Sequence, residues 1–256
     1  MRTRKWLVLS SIVVLSVWIV ISSVWTITRI WAIGGAGVLR ILEREYKVFS
    51  AGTIIERYLA STGVRKLQIG AGPNNLPGWL NTDIEPREGQ AFLDATKPFP
   101  IPDNSLNYVY AEQVIEHLPF ESGMVMLRES YRTLAPGGKL RIATPDLRQL
   151  VALFDQDDTE AERRFMTALL KMERLSVKEP ERPLFVMNTY FHAWGHQFLY
   201  DKQSLQSALE SVGFRDVRFL RHNESDDPEL RNVERHIYLI GSDIDEYVTM
   251  IVQASK

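Results

Sequence analysis

From Trp6 to Thr28 the chain runs 23 residues without a charge, WLVLSSIVVLSVWIVISSVWTIT. As a helix this run spans about 34 Å at ~1.5 Å per residue, enough to cross a bilayer. Trp6 and Trp25 would then stand about 28 Å apart, one at each interface. The pattern predicts a membrane anchor over 1–33. A cleaved secretory signal is the competing reading, because Arg2, Arg4 and Lys5 precede the run and Ala32-Ile33-Gly34-Gly35-Ala36 offers small residues. The run, however, exceeds the ~7–15 apolar residues of a signal core. Residues 34–51 open on Gly34-Gly35 and continue as a short amphipathic stretch, read as a linker and juxtamembrane helix.

Beyond that point the period switches back and forth between helix and strand. A helix is predicted over 52–61, strands over 65–70, 79–84, 92–93 and 106–111, a helix over 121–134 and a strand over 139–144. Pro136, Gly137 and Gly138 punctuate the last helix-to-strand step as a turn. Residues 147–198 interrupt the rhythm with a charged helical insertion, placed as a lid over the carboxyl edge of the sheet. A helix over 201–211, N-capped by Asp201 and stopped by Gly213, leads to a strand over 214–220. An acid-rich stretch, 223–230, reads as a solvated loop, and a last strand, 234–241, follows it and pairs antiparallel. Residues 242–256 are left as a tail. The fold class implied is α/β, a Rossmann-like doubly wound sheet within a domain over 52–241, with helices on both faces.

Charge changes the picture in one respect. The whole chain holds 30 Lys+Arg and 32 Asp+Glu, but Arg2, Arg4, Lys5 and Arg29 lie in the first 33 residues, which hold no acid. From residue 34 on, 26 bases face 32 acids, a net −6. No basic field favours nucleic acid, so none is expected as a partner. The membrane orientation is evenly balanced, with Arg2, Arg4 and Lys5 on one side and Arg29, Arg40 and Arg44 on the other. With Cys 0, disulfides, thiolate metal sites and cysteine nucleophiles are excluded.

The candidate chemistry sits at strand ends. Gly70-Ala71-Gly72 follows the first strand, where glycines let a ligand approach the backbone; Asn75 occupies the place of the third glycine of a dinucleotide fingerprint. Asp83 ends the second strand, where a carboxylate can accept hydrogen bonds from both hydroxyls of a ribose. Asp94-Ala95 follow the third strand, in reach of an adenine amino group. The fourth strand ends in Glu112-Gln113-Val114-Ile115-Glu116-His117-Leu118, and Leu134-Ala135-Pro136-Gly137-Gly138 leads into the fifth.

This ordered set resembles the class I S-adenosylmethionine-dependent methyltransferases, in particular the small-molecule branch with an EHL segment after strand four and an LxPGG turn before strand five. The resemblance covers 65–145 well and 200–241 loosely. It implies a seven-stranded sheet with an antiparallel last strand and S-adenosylmethionine as cofactor. By position, Gly70, Ala71 and Gly72 would back the methionine moiety, Asp83 would hold the ribose, Asp94 and Ala95 the adenine. Glu112 and Gln113 would line the pocket beside the sulfonium. Such a site implies in-line displacement on the sulfonium methyl, assisted by positioning and water exclusion. A hydroxyl acceptor also wants a base, and His117 is the first candidate.

A second cluster, Tyr190-Phe191-His192-Ala193-Trp194-Gly195-His196, lies at the end of the insertion. His192, Trp194 and His196 are read as acceptor-binding lid residues. As metal ligands His192 and His196 would need a helix through Gly195 and a paired acid, so no metal is expected. The function expected is a membrane-anchored methyltransferase with its catalytic domain on the cytoplasmic face, acting on a small-molecule or lipid-linked acceptor, possibly a glycan. A nicotinamide-dependent or aminopropyl-transferring enzyme on the same sheet, and a non-catalytic scaffold at the membrane, are the alternatives.

Overall fold

The structure is a computed structural model that describes residues 37, 42, 44–61, 63–155, 159–178 and 181–256. The expected membrane anchor, 1–33, and eight of the eighteen linker residues, 34–51, lie outside the described residues. Among the described residues, no helix is long and apolar enough to cross a membrane. The chain divides into two units, Met1–Phe49 and Ser50–Lys256. In the first, residues 44–49 are helical, and Leu42, Tyr46 and Phe49 expose their side chains.

The second unit opens with helix α1, whose residues here are 50–59. Seven strands follow: β1 (Lys66–Ile69), β2 (Leu80–Asp83), β3 (Ala91–Phe92), β4 (Leu106–Glu112), β5 (Leu134–Pro145), β6 (Arg215–Leu220) and β7 (Thr249–Ser255). They form one sheet in the order β3-β2-β1-β4-β5-β7-β6. The neighbours from β3 to β5 are parallel, and β7 runs antiparallel to both β5 and β6. Between β4 and β5 lies α2 (Phe120–Thr133); between β5 and β6 lie α3 (Leu147–Ala152), α4 (Glu160–Met172), α5 (Arg182–His192) and α6 (Lys202–Val212).

Alternation along the strands sorts two unlike faces. Leu67, Ile69, Val109, Ala111, Leu140, Ile142 and Val252 point to one face and bury against Ile55 of α1, Met126 and Leu127 of α2, and Leu205 and Leu209 of α6. Each such large side chain contributes about 1.5–3 kcal/mol by leaving water. The positions between them, Gln68, Tyr110, Arg141 and Gln253, are buried on the opposite face, and segment 222–236 covers part of it through Leu230, Val233 and Glu234. The expectation of helices on both faces is therefore corrected. Among the described residues none of the β1–β2, β2–β3 and β3–β4 connections is helical, because Pro73, Pro77, Gly78, Pro86, Gly89, Pro98, Pro100 and Pro102 break every run long enough for a turn of helix.

Three further corrections follow. Pro136-Gly137-Gly138 is a bulged start of β5 rather than a turn outside it, with the register slipping between Leu106 and Tyr108. A Cβ at Gly138 would stand 2.8 Å from the Ala135 carbonyl oxygen and 3.0 Å from that of Asn107, so only glycine fits there. Residues 234–241 do not form the last strand. They pass into α7 (Ile237–Ile240) and α8 (Ser242–Val248), and the expected tail carries β7. Finally, 223–230 is no solvated loop: Asp227 is buried and accepts from Lys139 Nζ at 2.6 Å and Tyr108 OH at 2.9 Å.

The insertion builds a small core of its own. Leu150 of α3, Phe165 and Leu169 of α4, and Val186 and Tyr190 of α5 pack with Ile244 and Val248 of α8. Thr159 and Glu162 close a capping box at the start of α4. Asp201 caps α6 as expected, paired with Ser204, and α6 ends at Gly213.

Candidate functional site

The carboxyl ends of β1, β2 and β3 bring the expected cofactor residues to one edge of the sheet. Gly70 and Gly72 both hold positive φ, 64° and 52°. A Cβ at Gly70 would collide with the Val114 side chain, whereas beside Gly72 the space is open. The Ala71 amide donates to the Thr82 carbonyl at 2.9 Å, which ties the turn to β2. Asp83 then locks it: its Oδ2 accepts from the Gly72 amide and its Oδ1 from the Glu85 amide, each at 2.9 Å. Both oxygens keep a second lone pair, in a fixed orientation, for a ligand's hydroxyls. Asp94 is oriented in the same way, its Oδ1 accepting from the Thr96 amide at 2.9 Å and the Thr96 hydroxyl at 2.7 Å. Ala95 is buried beneath it. Open backbone next to Gly72 and two aimed carboxylates make a donor and acceptor set that fits a nucleoside with a charged tail.

Glu112 does not join that set. It is buried, and its carboxylate accepts from the amides of Arg235 and His236 at 2.9–3.0 Å. Burial raises its pKa against those two bonds. Its role is to hold segment 235–236 at the end of β4 rather than to line a pocket. Sequence spacing could not reveal this, because the partner is a backbone stretch more than 120 residues away.

Gln113, the next residue, takes φ 53° and lines a cavity of about 270 Å³ together with His117, Tyr190, Trp194, His196, His236 and Thr249. Trp194 is also left-handed, at φ 56°. A non-glycine residue in that region stores strain, and both of these cavity residues do. His192 lies elsewhere: it is exposed at the end of α5 and contributes nothing to the cavity. The chain turns at Ala193, so His192 and His196 do not share a helix face.

Backbone carbonyls orient two histidines of the cavity. His196 Nδ1 donates to the Tyr190 carbonyl at 2.7 Å, and the carbonyls of Gly195 and Trp194 sit beside the His117 ring as acceptors. Burial lowers the pKa of both rings, so both are neutral near pH 7. The two rings meet edge to face with centroids 4.9 Å apart.

The residue that sequence reasoning missed is His236. Its Nδ1 lies 2.9 Å from Asp245 Oδ1, and as the carboxylate only accepts, Nδ1 carries the proton and Nε2 is left basic. Asp245 is fully buried; Thr249 donates to it at 3.2 Å, and Gln113 donates to Thr249 at 3.2 Å. His222 Nε2 lies 2.6 Å from the other Asp245 oxygen. The only signal available was the count of histidines near acids in 222–245, which the strand assigned to 234–241 had placed in the sheet.

These groups set a pH dependence. Burial opposes charge on His222, but the Asp245 carboxylate outweighs it and raises the imidazole pKa. A raised imidazole contributes stability below its ordinary value of ~6.5 and loses it as pH rises through the folded value. Glu116, fully buried and pushed up to about 7, acts in the same direction between its ordinary value and 7. The thermal midpoint is therefore expected to fall from pH 6 to pH 8.5. In His222→Asn the part of that fall above pH ~6.5 should shrink, and an unchanged profile would remove His222 as its source.

Residues 78–142 match the family model described as "Methyltransferase domain". No curated protein matches the chain. Among solved structures, a possible histamine N-methyltransferase from Thermotoga maritima is 14% identical, with 89% of this chain and 98% of that one covered and a TM-score of 0.44. An S-adenosylmethionine-dependent methyltransferase from Archaeoglobus fulgidus is 19% identical over 83% and 94%, TM-score 0.44. One from Mesorhizobium loti is 16% identical over 78% and 95%, TM-score 0.45. The family model spans part of the second unit, from the β1–β2 connection into β5.

Proposed function

We propose that this chain, in which residues 78–142 match a methyltransferase-domain model, is a membrane-anchored class I S-adenosylmethionine-dependent enzyme that methylates a hydroxyl of a small or lipid-linked, glycan-like acceptor. One observation carries this reading. β1, β2 and β3 deliver Gly70–Gly72, Asp83 and Asp94 to a single sheet edge, and β4 turns from that edge at Gln113 into a cavity walled by histidines. When bound there, S-adenosylmethionine supplies a methyl group already activated on a sulfonium.

The chain's own work is positioning, water exclusion and proton handling. Asp83 and Asp94 orient the nucleoside, and Gly72 gives its tail room. Helix α5 brings Tyr190, and the segment after it Trp194 and His196, to the wall of the cavity. We assign the base to His236 rather than His117. Asp245 behind His236 fixes the tautomer and stabilises the imidazolium once Nε2 has taken the hydroxyl proton. Among the described residues no carboxylate is hydrogen-bonded to His117, and burial lowers its pKa; it serves as a neutral contact to the acceptor.

Support for the membrane placement comes from the uncharged run 6–28 and from Leu42, Tyr46 and Phe49, which expose apolar side chains at i, i+4 and i+7 of helical spacing. Because this cofactor is made in the cytosol, the catalytic domain is placed on the cytoplasmic face. Proteolysis of sealed cells should then spare the C-terminus, and its digestion from outside would reverse the orientation.

The deciding test of the activity is calorimetric titration of the full chain in detergent with S-adenosylmethionine, S-adenosylhomocysteine and NAD. Micromolar binding of the first two and none of NAD is expected. Binding of NAD alone would favour a nicotinamide enzyme, and binding of none by folded protein would favour a scaffold.

A further inference from the structure

We propose that Glu116, His117 and His196 form a binding site for a divalent transition-metal ion in the wall of the acceptor cavity. One carboxylate oxygen of Glu116 and one ring nitrogen from each histidine lie within 4.8 Å of one another. Bonds of ~2.0–2.2 Å to a shared ion put ligand atoms roughly 3–4 Å apart, so small side-chain rotations complete the set.

The main chain fixes this meeting of distant segments. The amides of Gln197 and Phe198 both donate to the Glu116 carbonyl, at 2.7 and 3.1 Å, which pins the segment after His196 against the 3-10 turn Ile115–His117. Each ligand is also oriented from behind. Glu116 Oε2 accepts from the Thr144 hydroxyl at 3.0 Å. The Tyr190 carbonyl takes His196 Nδ1–H, leaving Nε2 with its lone pair, and backbone carbonyls flank His117. Metal-bound histidines are typically held by such a second partner on the other nitrogen.

Glu116 supplies the independent observation. Its side chain is fully buried, and among the described residues its Oε1 has no hydrogen-bond partner and no Lys or Arg pairs with it. A buried carboxylate left so is costly unless a cation or a proton meets it. Two imidazoles and one carboxylate suit Zn²⁺, Mn²⁺, Fe²⁺, Co²⁺ or Ni²⁺ and disfavour Mg²⁺ and Ca²⁺, which prefer all-oxygen sites. Three protein ligands leave coordination positions open, as in catalytic rather than structural sites.

Metal binding itself does not depend on the reading of the function, but its use does. If the cavity holds the acceptor, the open positions take the acceptor's hydroxyl oxygen and lower its pKa. The proton passes to His236 Nε2, the oxygen lone pair forms the new C–O bond, and the pair of the breaking S–CH₃ bond stays on sulfur.

The test uses the full chain, stripped with chelator, dialysed separately against Zn²⁺, Mn²⁺, Ni²⁺ and Mg²⁺ without S-adenosylmethionine, and analysed by elemental mass spectrometry and calorimetry. The expected result is one transition-metal ion retained per chain and no Mg²⁺. His196→Ala and Glu116→Gln should lose stoichiometric retention, while His192→Ala, four residues away on the exposed side, should keep it. The unfolding midpoint without metal shows that each variant is folded, and His196→Ala stands alone if Glu116→Gln is not. Background metal in the parent, or equal retention in His196→Ala, overturns the site. Because no methyl donor is present, a failure here is distinct from a failure to bind S-adenosylmethionine.

Discussion

Glu234→Gln is expected to lower the free energy of unfolding by about 3–5 kcal/mol, the cost of leaving one partner of a buried ion pair alone. Arg141 projects from the middle of β5 with a fully buried side chain, and its Nε donates to Glu234 Oε1 at 2.5 Å, also fully buried. Its Nη1 donates to the Glu224 carbonyl at 3.0 Å, and Glu234 Oε2 accepts from the Asn223 amide at 2.9 Å. Among the described residues Arg141 Nη2 has no hydrogen-bond partner, so the guanidinium has little to compensate it once the carboxylate is neutralised. The pair closes segment 222–236 onto the sheet, and that segment ends at His236. Loss of the pair should therefore reduce turnover even at temperatures where the variant is folded. Arg141→Met combined with Glu234→Leu should recover most of the stability, since apolar replacements of buried pairs are often neutral or better. Urea unfolding of Arg141→Met, Glu234→Leu and the double gives the coupling. A loss below about 1 kcal/mol in Glu234→Gln would mean that water reaches the pair.

What the sequence made legible was whatever depends on local pattern. β1, β2, β4, α2 and α6 fall within a residue or two of their expected positions, because each has a clean apolar period and a marked end. Gly70, Gly72, Asp83 and Asp94 could be placed at strand ends for the same reason. Two kinds of feature were not legible. Short apolar runs do not distinguish strand from helix: 234–241 and 249–255 both carry a handful of apolar residues, and it is the second that forms the strand. Long-range polar pairing leaves no periodic trace either. The acids at Glu224, Asp227, Glu229 and Glu234 look alike in composition, yet Asp227 and Glu234 are buried partners of Lys139 and Arg141. The same blindness hid His236 and Asp245, and it separated Glu116-His117 from His196, whose neighbourhood is set by backbone bonds across 80 positions.

The second large effect belongs to Asp83, whose replacement by alanine should weaken S-adenosylhomocysteine binding by roughly 10²–10⁴-fold. Two hydrogen bonds from ribose hydroxyls to a carboxylate contribute about 1.5–3 kcal/mol each, and every 1.4 kcal/mol is about tenfold in Kd. Preorganisation is lost with them, because the same carboxylate accepts from the amides of Gly72 and Glu85, and without it the glycine turn is free to move. Asp83→Asn keeps the size and one acceptor oxygen but not the charge, so its loss should be intermediate. Glu85→Ala is the control: only the backbone of Glu85 enters this arrangement, and its affinity should stay within about twofold. Calorimetry with the full chain measures all three, and the unfolding midpoint separates lost contacts from lost structure. Affinity of Asp83→Ala within threefold of the parent would show that the ribose is held elsewhere. The cofactor edge would then have to be sought among the groups around Gln113, where the strained backbone and the histidine-lined cavity already converge.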